Sequence, residues 1–491
     1  MSTVRRGYRR GTLLMLSFAS GFGILVLELA GARLLAASYG LSSIPWTAVI
    51  AVVLTGLAVG NAAGGRAADR WRPSPAHLFL AAGAWGVVPL AGADLPDLLM
   101  TRLGFASGAL ASAGIFFLVP SALMGAVTPI LVQRGTRHLD EVGRRYGDIG
   151  AWSTAGAIAG TFCTGFILLP HLPLDLVLGL ASSFFFLAAT FSAWSDSLRG
   201  RTAAGILLLP VPLILAGMRK PEQGTVFTGQ SAYAALHVVD RDWYGDVPVR
   251  EFWQNGSLSS AEHRVTGEPT QFYKITLGWL LSERLERIES VLVLGGAANT
   301  FPTQLKRMQP RLNVVVVEID PRAVTIARKF FSFGALPPDA IEMRVEDARP
   351  FLARETRKYD VVVADVYDHL YSVPWPLVTR EAFGAMGARL RPGGVLTVTL
   401  SSPLEGPGAV FLKRIVFTLE TVFDHIRVYP TRPEFGADVT QEVILLAARR
   451  EADMPAADWP WLRIGGEGPP LSDDFAPVEF LQALRFLHEP R

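Results

Sequence analysis

A chain of 491 residues that is 50% apolar, with a mean hydropathy of +0.31, has room for two or three domains and is too apolar to be mainly disordered. Its 46 basic and 44 acidic residues nearly cancel, which removes any global argument for nucleic-acid binding, and its one cysteine, Cys163, excludes an intrachain disulfide framework and a cysteine metal cluster. The charges are unevenly placed: residues 1–218 hold 15 Arg, no Lys and 9 acids, only 24 of the 90 charged side chains, so the first half is built for an apolar solvent.

Arg5, Arg6, Arg9 and Arg10 precede an apolar stretch that runs to about residue 36 without a clear cleavage site, which reads as an anchor and not as a signal peptide. Runs able to cross a hydrocarbon layer of about 30 Å fall at 12–36, 44–65, 76–93, 104–133, 149–169 and 174–194. The connections 66–75, 134–148 and 195–202 carry the arginines, and those near 38–43 and 170–174 carry none, an alternation that puts the N-terminus and the three basic loops in the cytoplasm. A seventh run, 203–217, contains two prolines and would reach about 23 Å as a helix, so it leaves the parity open. Gly56, Gly60 and Gly64, and Gly156 and Gly160, recur at four-residue spacing, which suits close helix packing in lipid. Glu28 lies inside the first run with Arg33 five residues on; a structural ion pair and a site for a cationic ligand both fit. The loop Gly65-Arg-Ala-Ala-Asp69-Arg70-Trp-Arg72 resembles the one at that place in major facilitator transporters, and six spans would match one half of such a carrier.

After Lys220 the charge density rises and short β-rich runs begin. Residues 231–258 alternate in polarity and include Asn255-Gly256, a strong hairpin signal. From 290 onward strands at 291–296, 313–320, 341–348, 359–368 and 393–400 alternate with helical stretches up to 309, from Pro321 to about Phe331 and around 379–390, which predicts a mostly parallel, doubly wound sheet. The domains read as 1–218, an all-α polytopic membrane domain; 225–280, a small β module; 285–450, an α/β Rossmann-like domain; and 451–491, a C-terminal extension.

Ligands of such sheets sit at the carboxyl ends of the strands, and the chemistry-bearing residues fall there. Gly295 and Gly296 close the first strand, where small residues let backbone amides approach a ligand. Glu318 ends the second, 23 residues after Gly295, where an acid receives ribose hydroxyls. Asp347 and Ala348 end the third and suit an adenine amine and ring face; Asp365 ends the fourth, with Asp368 three residues later. No Walker loop is present, so an adenosyl group without a triphosphate fits better than a nucleoside triphosphate, which points to S-adenosylmethionine-type chemistry with no metal. That metabolite is cytosolic, which favours a cytoplasmic C-terminal half on a multi-pass inner-membrane protein.

Residues 225–450 resemble the spermidine synthase (polyamine aminopropyltransferase) family. The resemblance is carried by Ser231-Ala-Tyr233, Asn255-Gly256, Gln271-Phe272-Tyr273, the run VLVLGGAAN, Val317-Glu318-Ile319-Asp320, Glu346-Asp347-Ala348-Arg349 and Asp365-Val-Tyr367-Asp368-His. It implies a β module ahead of a Rossmann-like domain of the spermidine synthase/methyltransferase type, decarboxylated S-adenosylmethionine as co-substrate and an amine acceptor. Asp365 would deprotonate or orient the amine, whose ordinary pKa is about 10, Tyr233 and Tyr273 would orient it, and Asp368, with Tyr367 in the pocket wall, would hold its far cationic end. Self-association through the β module, as a homodimer, is implied too.

Two departures bear on the reaction. The glycine-loop acid of that family is replaced by Ala298, and its Tyr-His-Glu by Tyr273-Lys274-Ile275. Three readings therefore stay open: aminopropyl transfer to an amine; a methyl or carboxyaminopropyl transfer from S-adenosylmethionine, on a lipophilic acceptor; and a non-enzymatic, transporter-like sensor of polyamines or adenosyl metabolites.

Overall fold

The computed structural model describes residues 8–40, 43–136, 138–196, 198–218, 223–366, 373–456 and 458–486. The chain divides into two units, Met1–Pro221 and Glu222–Arg491.

Among the described residues of the first unit, five helices are long and apolar enough to cross a membrane: Arg10–Tyr39, Ser43–Trp71, Phe105–Gly135, Val142–His171 and Leu174–Ser195. Gly60 shows why the glycine repeat is there: a Cβ at that position would sit 1.9 Å from the carbonyl oxygen of Ala122, so the Ser43–Trp71 and Phe105–Gly135 helices meet backbone to backbone. The run expected as a single span at 76–93 belongs to a bent helix pair, which makes a sixth candidate if the pair is one span. It forms Pro75–Ala91, interrupted after Trp85, followed by Leu95–Leu103 at a 73° bend. Gly92 and Pro96 lie at that bend, where glycine loosens the helix and proline removes a backbone donor. The run 203–217 is likewise split, into Arg199–Leu208 and Val211–Met218, around Pro210 and Pro212.

The second unit opens with a four-stranded antiparallel sheet in the order β1 (Thr225–Gln230), β2 (Ala235–Trp243), β3 (Val247–Gln254), β4 (Ser257–His263). Asn255 and Gly256 make the β3–β4 turn with φ of 48° and 77°, the left-handed pair that a two-residue hairpin requires. The helix Phe272–Ser282 then leads into a seven-stranded sheet made of β5 (Ser290–Leu294), β6 (Asn313–Glu318), β7 (Glu342–Val345), β8 (Tyr359–Ala364), β9 (Leu390–Ser402), β10 (His425–Pro430) and β11 (Gln441–Ala448). Its order is β10-β11-β9-β8-β5-β6-β7.

β5 to β9 run parallel, and β11 is antiparallel to both of its neighbours, β9 and β10, so β10 runs in the same direction as the parallel strands. Because side chains alternate across a strand, Leu292 and Leu294 of β5 enter one core while Val291 and Val293 enter the core on the other face. Burial on both faces is what the uninterrupted apolar, β-branched runs require. The strand order reverses between β5–β6 and β5–β8, which opens a crevice at the carboxyl tip of β5. Residues beyond 450 join the first of these cores through Leu471, Val478 and Leu481.

Candidate active site

Local structure shapes the crevice before any side chain enters it. Gly295 follows β5 with φ +85°, and a Cβ there would lie 2.1 Å from the carbonyl oxygen of Asp365, so only glycine lets the β5 and β8 tips come this close. Ala297 and Asn299 continue the loop at φ of 44° and 56°, left-handed conformations that turn its backbone N–H groups inward.

At the tip of β6, the buried Glu318 carboxylate accepts from the N–H groups of Gly296 (3.0 Å), Ala297 (2.9 Å) and Asp320 (3.0 Å). Burial raises its pKa and these three donors oppose the rise. Asp347 caps the short helix Ala348–Arg354 through one oxygen, which accepts from the N–H of Arg349 at 2.8 Å. Asp365 follows β8, and the hydroxyl of Tyr273 donates to its Oδ2 at 3.0 Å. Burial pushes the Asp365 carboxyl up, while the Lys274 ammonium and this hydrogen bond hold it down.

All of these border one cleft of about 510 Å³: Gly295, Gly296, Glu318, Asp347, Ala348, Tyr273 and Asp365 line it together. Its apolar lining includes Trp243, Leu258, Phe272, Val373, Leu377 and Leu400. Among the described residues, the cleft-lining Ser259 Oγ, Gln271 Oε1 and Thr399 Oγ1 are buried without hydrogen-bond partners. Unsatisfied polar atoms on a cleft wall are what a polar ligand would satisfy.

One expected residue is placed elsewhere, and two lie outside the described residues. Tyr233 is 44% exposed and does not line the cleft, which corrects the expectation that it orients an acceptor. The reason is the turn at Ser231, whose buried hydroxyl accepts from the N–H groups of Tyr233 (3.1 Å) and Ala234 (2.9 Å) and donates to Asp320 Oδ2 (2.5 Å), leaving Tyr233 at the surface. Tyr367 and Asp368 are the two outside.

Two ionisable groups complete the site. Lys274 is 3% exposed; its Nζ donates to the Ser259 carbonyl (3.0 Å), Ser260 Oγ (2.9 Å) and Thr300 Oγ1 (3.4 Å), and burial lowers its pKa to about 8 against the pull of Asp365 and Glu442. Glu442 was not anticipated. It lines the cleft from β11, and burial pushes its pKa up to about 7, with Lys274 opposing and Asp365 adding to the rise. β11 runs antiparallel to β9, with Glu442 opposite Ser401, so the beginning of β11 reaches the edge where the parallel strands end. No local sequence signal marks an acid at the start of a strand as a site residue.

A doubly wound sheet with acids on successive strand tips around one crevice defines an α/β unit of the Rossmann-like kind. Residues 271–430 match the model of the spermine/spermidine synthase domain. The chain is 26% identical over 196 residues to a probable polyamine aminopropyl transferase of Bifidobacterium longum, covering 40% of this chain and 42% of that protein. It is 28% identical over 263 residues to a polyamine aminopropyltransferase of Synechococcus, covering 52% and 74%. Among solved structures, a probable spermidine synthase from Corynebacterium glutamicum is similar at 18% identity and a TM-score of 0.42, over 52% of this chain and 100% of that one. The chain thus spans less than half the length of the Bifidobacterium relative. These relatives are transferases by name, and the region similar to the spermine/spermidine synthase domain lies within the second unit.

Proposed function

We propose that the protein is a membrane-anchored transferase that moves an aminopropyl group from decarboxylated S-adenosylmethionine to an amine. The observation that carries this reading is the convergence of Glu318, Asp347 and Asp365 on one cleft with the Tyr273 hydroxyl on Asp365. The donor supplies a sulfonium: as the amine lone pair forms the new C–N bond, the C–S bond breaks with its electron pair onto sulfur, a neutral thioether leaves, and nitrogen sheds one proton.

The chain's own residues do the rest. Glu318, held in place by the loop amides at 296–297, holds the ribose, and Asp347 and Ala348 the base. Asp365, oriented by Tyr273, takes the proton of the amine. Fixing nucleophile and electrophile in line is the main rate term for such a displacement. In this reading the first unit anchors the chain in the inner membrane with its second unit on the cytoplasmic side, and the β module pairs two copies into a homodimer.

Full S-adenosylmethionine as donor is a second reading, favoured by Lys274. Its ammonium bonds Ser260 Oγ, which accepts from the Ala298 N–H at 3.3 Å, so a positive charge lies directly behind the glycine loop where a donor carboxylate would be tolerated. Calorimetry of the purified protein with both donors separates the two: tighter binding of the decarboxylated form is expected, and a preference for S-adenosylmethionine would overturn aminopropyl transfer. A turnover assay for released thioether tests catalysis itself; no release with any amine would leave a binding role as sensor.

Glu442 gives this reading a pH signature. Its raised pKa leaves it neutral below about pH 7. As pH rises through that value a further negative charge appears in the cleft, so kcat/KM for a cationic acceptor is expected to climb with a midpoint near 7. Glu442→Gln should flatten that limb; a wild-type profile in the variant would remove Glu442 from acceptor binding.

A further inference from the structure

The helix Phe272–Ser282 is inside out. Its one charged residue, Lys274, is buried, whereas its exposed side chains, Phe272 (38%), Ile275 (46%) and Trp279 (40%), are all large and apolar. A helix on the surface of a soluble unit normally turns polar residues outward. Here the inner face is already satisfied by Tyr273, Leu277, Leu280 and Leu281, so core packing does not account for the outer three.

Their spacing of three and four residues puts them on one side of the helix as a continuous stripe. The stripe begins at the cleft, because Phe272 lines the cavity beside Tyr273, the residue that donates to Asp365. It ends where the Trp279 ring meets that of Trp459, 5.7 Å between centroids. At the cleft end, the Arg432 guanidinium lies 4.0 Å from the centre of the Phe272 ring, holding it in place.

We propose that the acceptor is an amphiphilic primary amine. Its nitrogen enters between Tyr273, Asp365 and Glu442, and its hydrocarbon chain leaves over Phe272 and lies along Ile275 and Trp279. This rests on the transferase reading and specifies its substrate class. The acidic end of the cleft suits the ammonium, and the apolar wall formed by Leu258, Val373 and Leu400 suits the first methylenes. From Phe272 to Trp279 the helix rises about 10 Å, the reach of roughly eight further methylenes.

The experiment uses the full chain in a maltoside detergent, with thioether release measured for linear primary amines of four to sixteen carbons. A fully buried methylene improves binding about fourfold, and a half-covered one about twofold. KM is therefore expected to fall on the order of 100-fold between the four- and twelve-carbon amines and then level off. Ile275→Glu should cut the ratio of short-chain to long-chain KM about tenfold; a misfolded variant would depress both rates alike and leave the ratio unchanged, and Trp279→Ser serves as an independent second variant. Equal KM values across the series, with release intact, would overturn the inference and leave the transferase reading standing. No release with any amine would instead defeat the transferase reading. If Ile275→Glu converts a dimer to a monomer by light scattering while the ratio persists, the stripe is a contact between copies and the inference falls.

Discussion

Asp365→Asn is expected to lower the rate of thioether release about 1,000-fold, within the range that a positioned general base supplies. Asparagine keeps the shape of the side chain and an oxygen that accepts from the Tyr273 hydroxyl, now 3.0 Å from Asp365 Oδ2, but it cannot take a proton from an amine. Donor affinity should change less than threefold, because in this reading Asp365 faces the nucleophile. Stability should not fall. Burial disfavours the ionised carboxylate, so removing the charge relieves that cost, although Lys274 loses one of its two acidic neighbours. A variant that keeps a tenth or more of the wild-type rate would remove Asp365 from proton transfer.

Glu318→Gln is expected to act on the donor. The carboxylate already accepts three backbone N–H groups at 2.9–3.0 Å, so it both shapes the 295–297 loop and presents its remaining lone pairs to a ribose. The amide replaces one acceptor oxygen with a donor, which must face either the loop N–H groups or the Asp320 N–H. Hydrogen bonds to a charged group are worth about 1.5–3 kcal/mol, so the donor Kd should rise by about 10- to 100-fold by calorimetry. The rate at saturating donor should fall less than tenfold. An unchanged Kd would show that the strand-tip acid serves only the loop.

The second unit was largely legible because its signals are local. The runs 291–294 and 313–318 are strands because both of their faces are buried, and Gly295, just past the first, and Glu318, at the tip of the second, could be located by counting alone. Legibility stopped where position depends on a distant partner. Tyr233 lies in a strand-flanking motif like the others, yet its direction is set by the Ser231 turn and Asp320, 89 residues beyond Ser231. Glu442 reached the cleft only because β11 inserts antiparallel beside β9. In the first unit, hydropathy marked the apolar run 76–93 without showing that the chain there is interrupted and then turns by 73°.

What the amino-acid order determined by itself was the division into an apolar helical half and a doubly wound half, and the row of acids on consecutive strand tips. Periodicity and strand alternation are properties of neighbours along the chain, so no tertiary information was needed to read them. Only the tertiary structure decided that Lys274 is buried while Phe272, Ile275 and Trp279 are exposed, since which side of a helix meets the core depends on what packs against it. The same is true of the ionisation of Glu442 and Lys274: burial and opposing charge are set by residues far away in sequence, and these are what move both groups toward neutral pH.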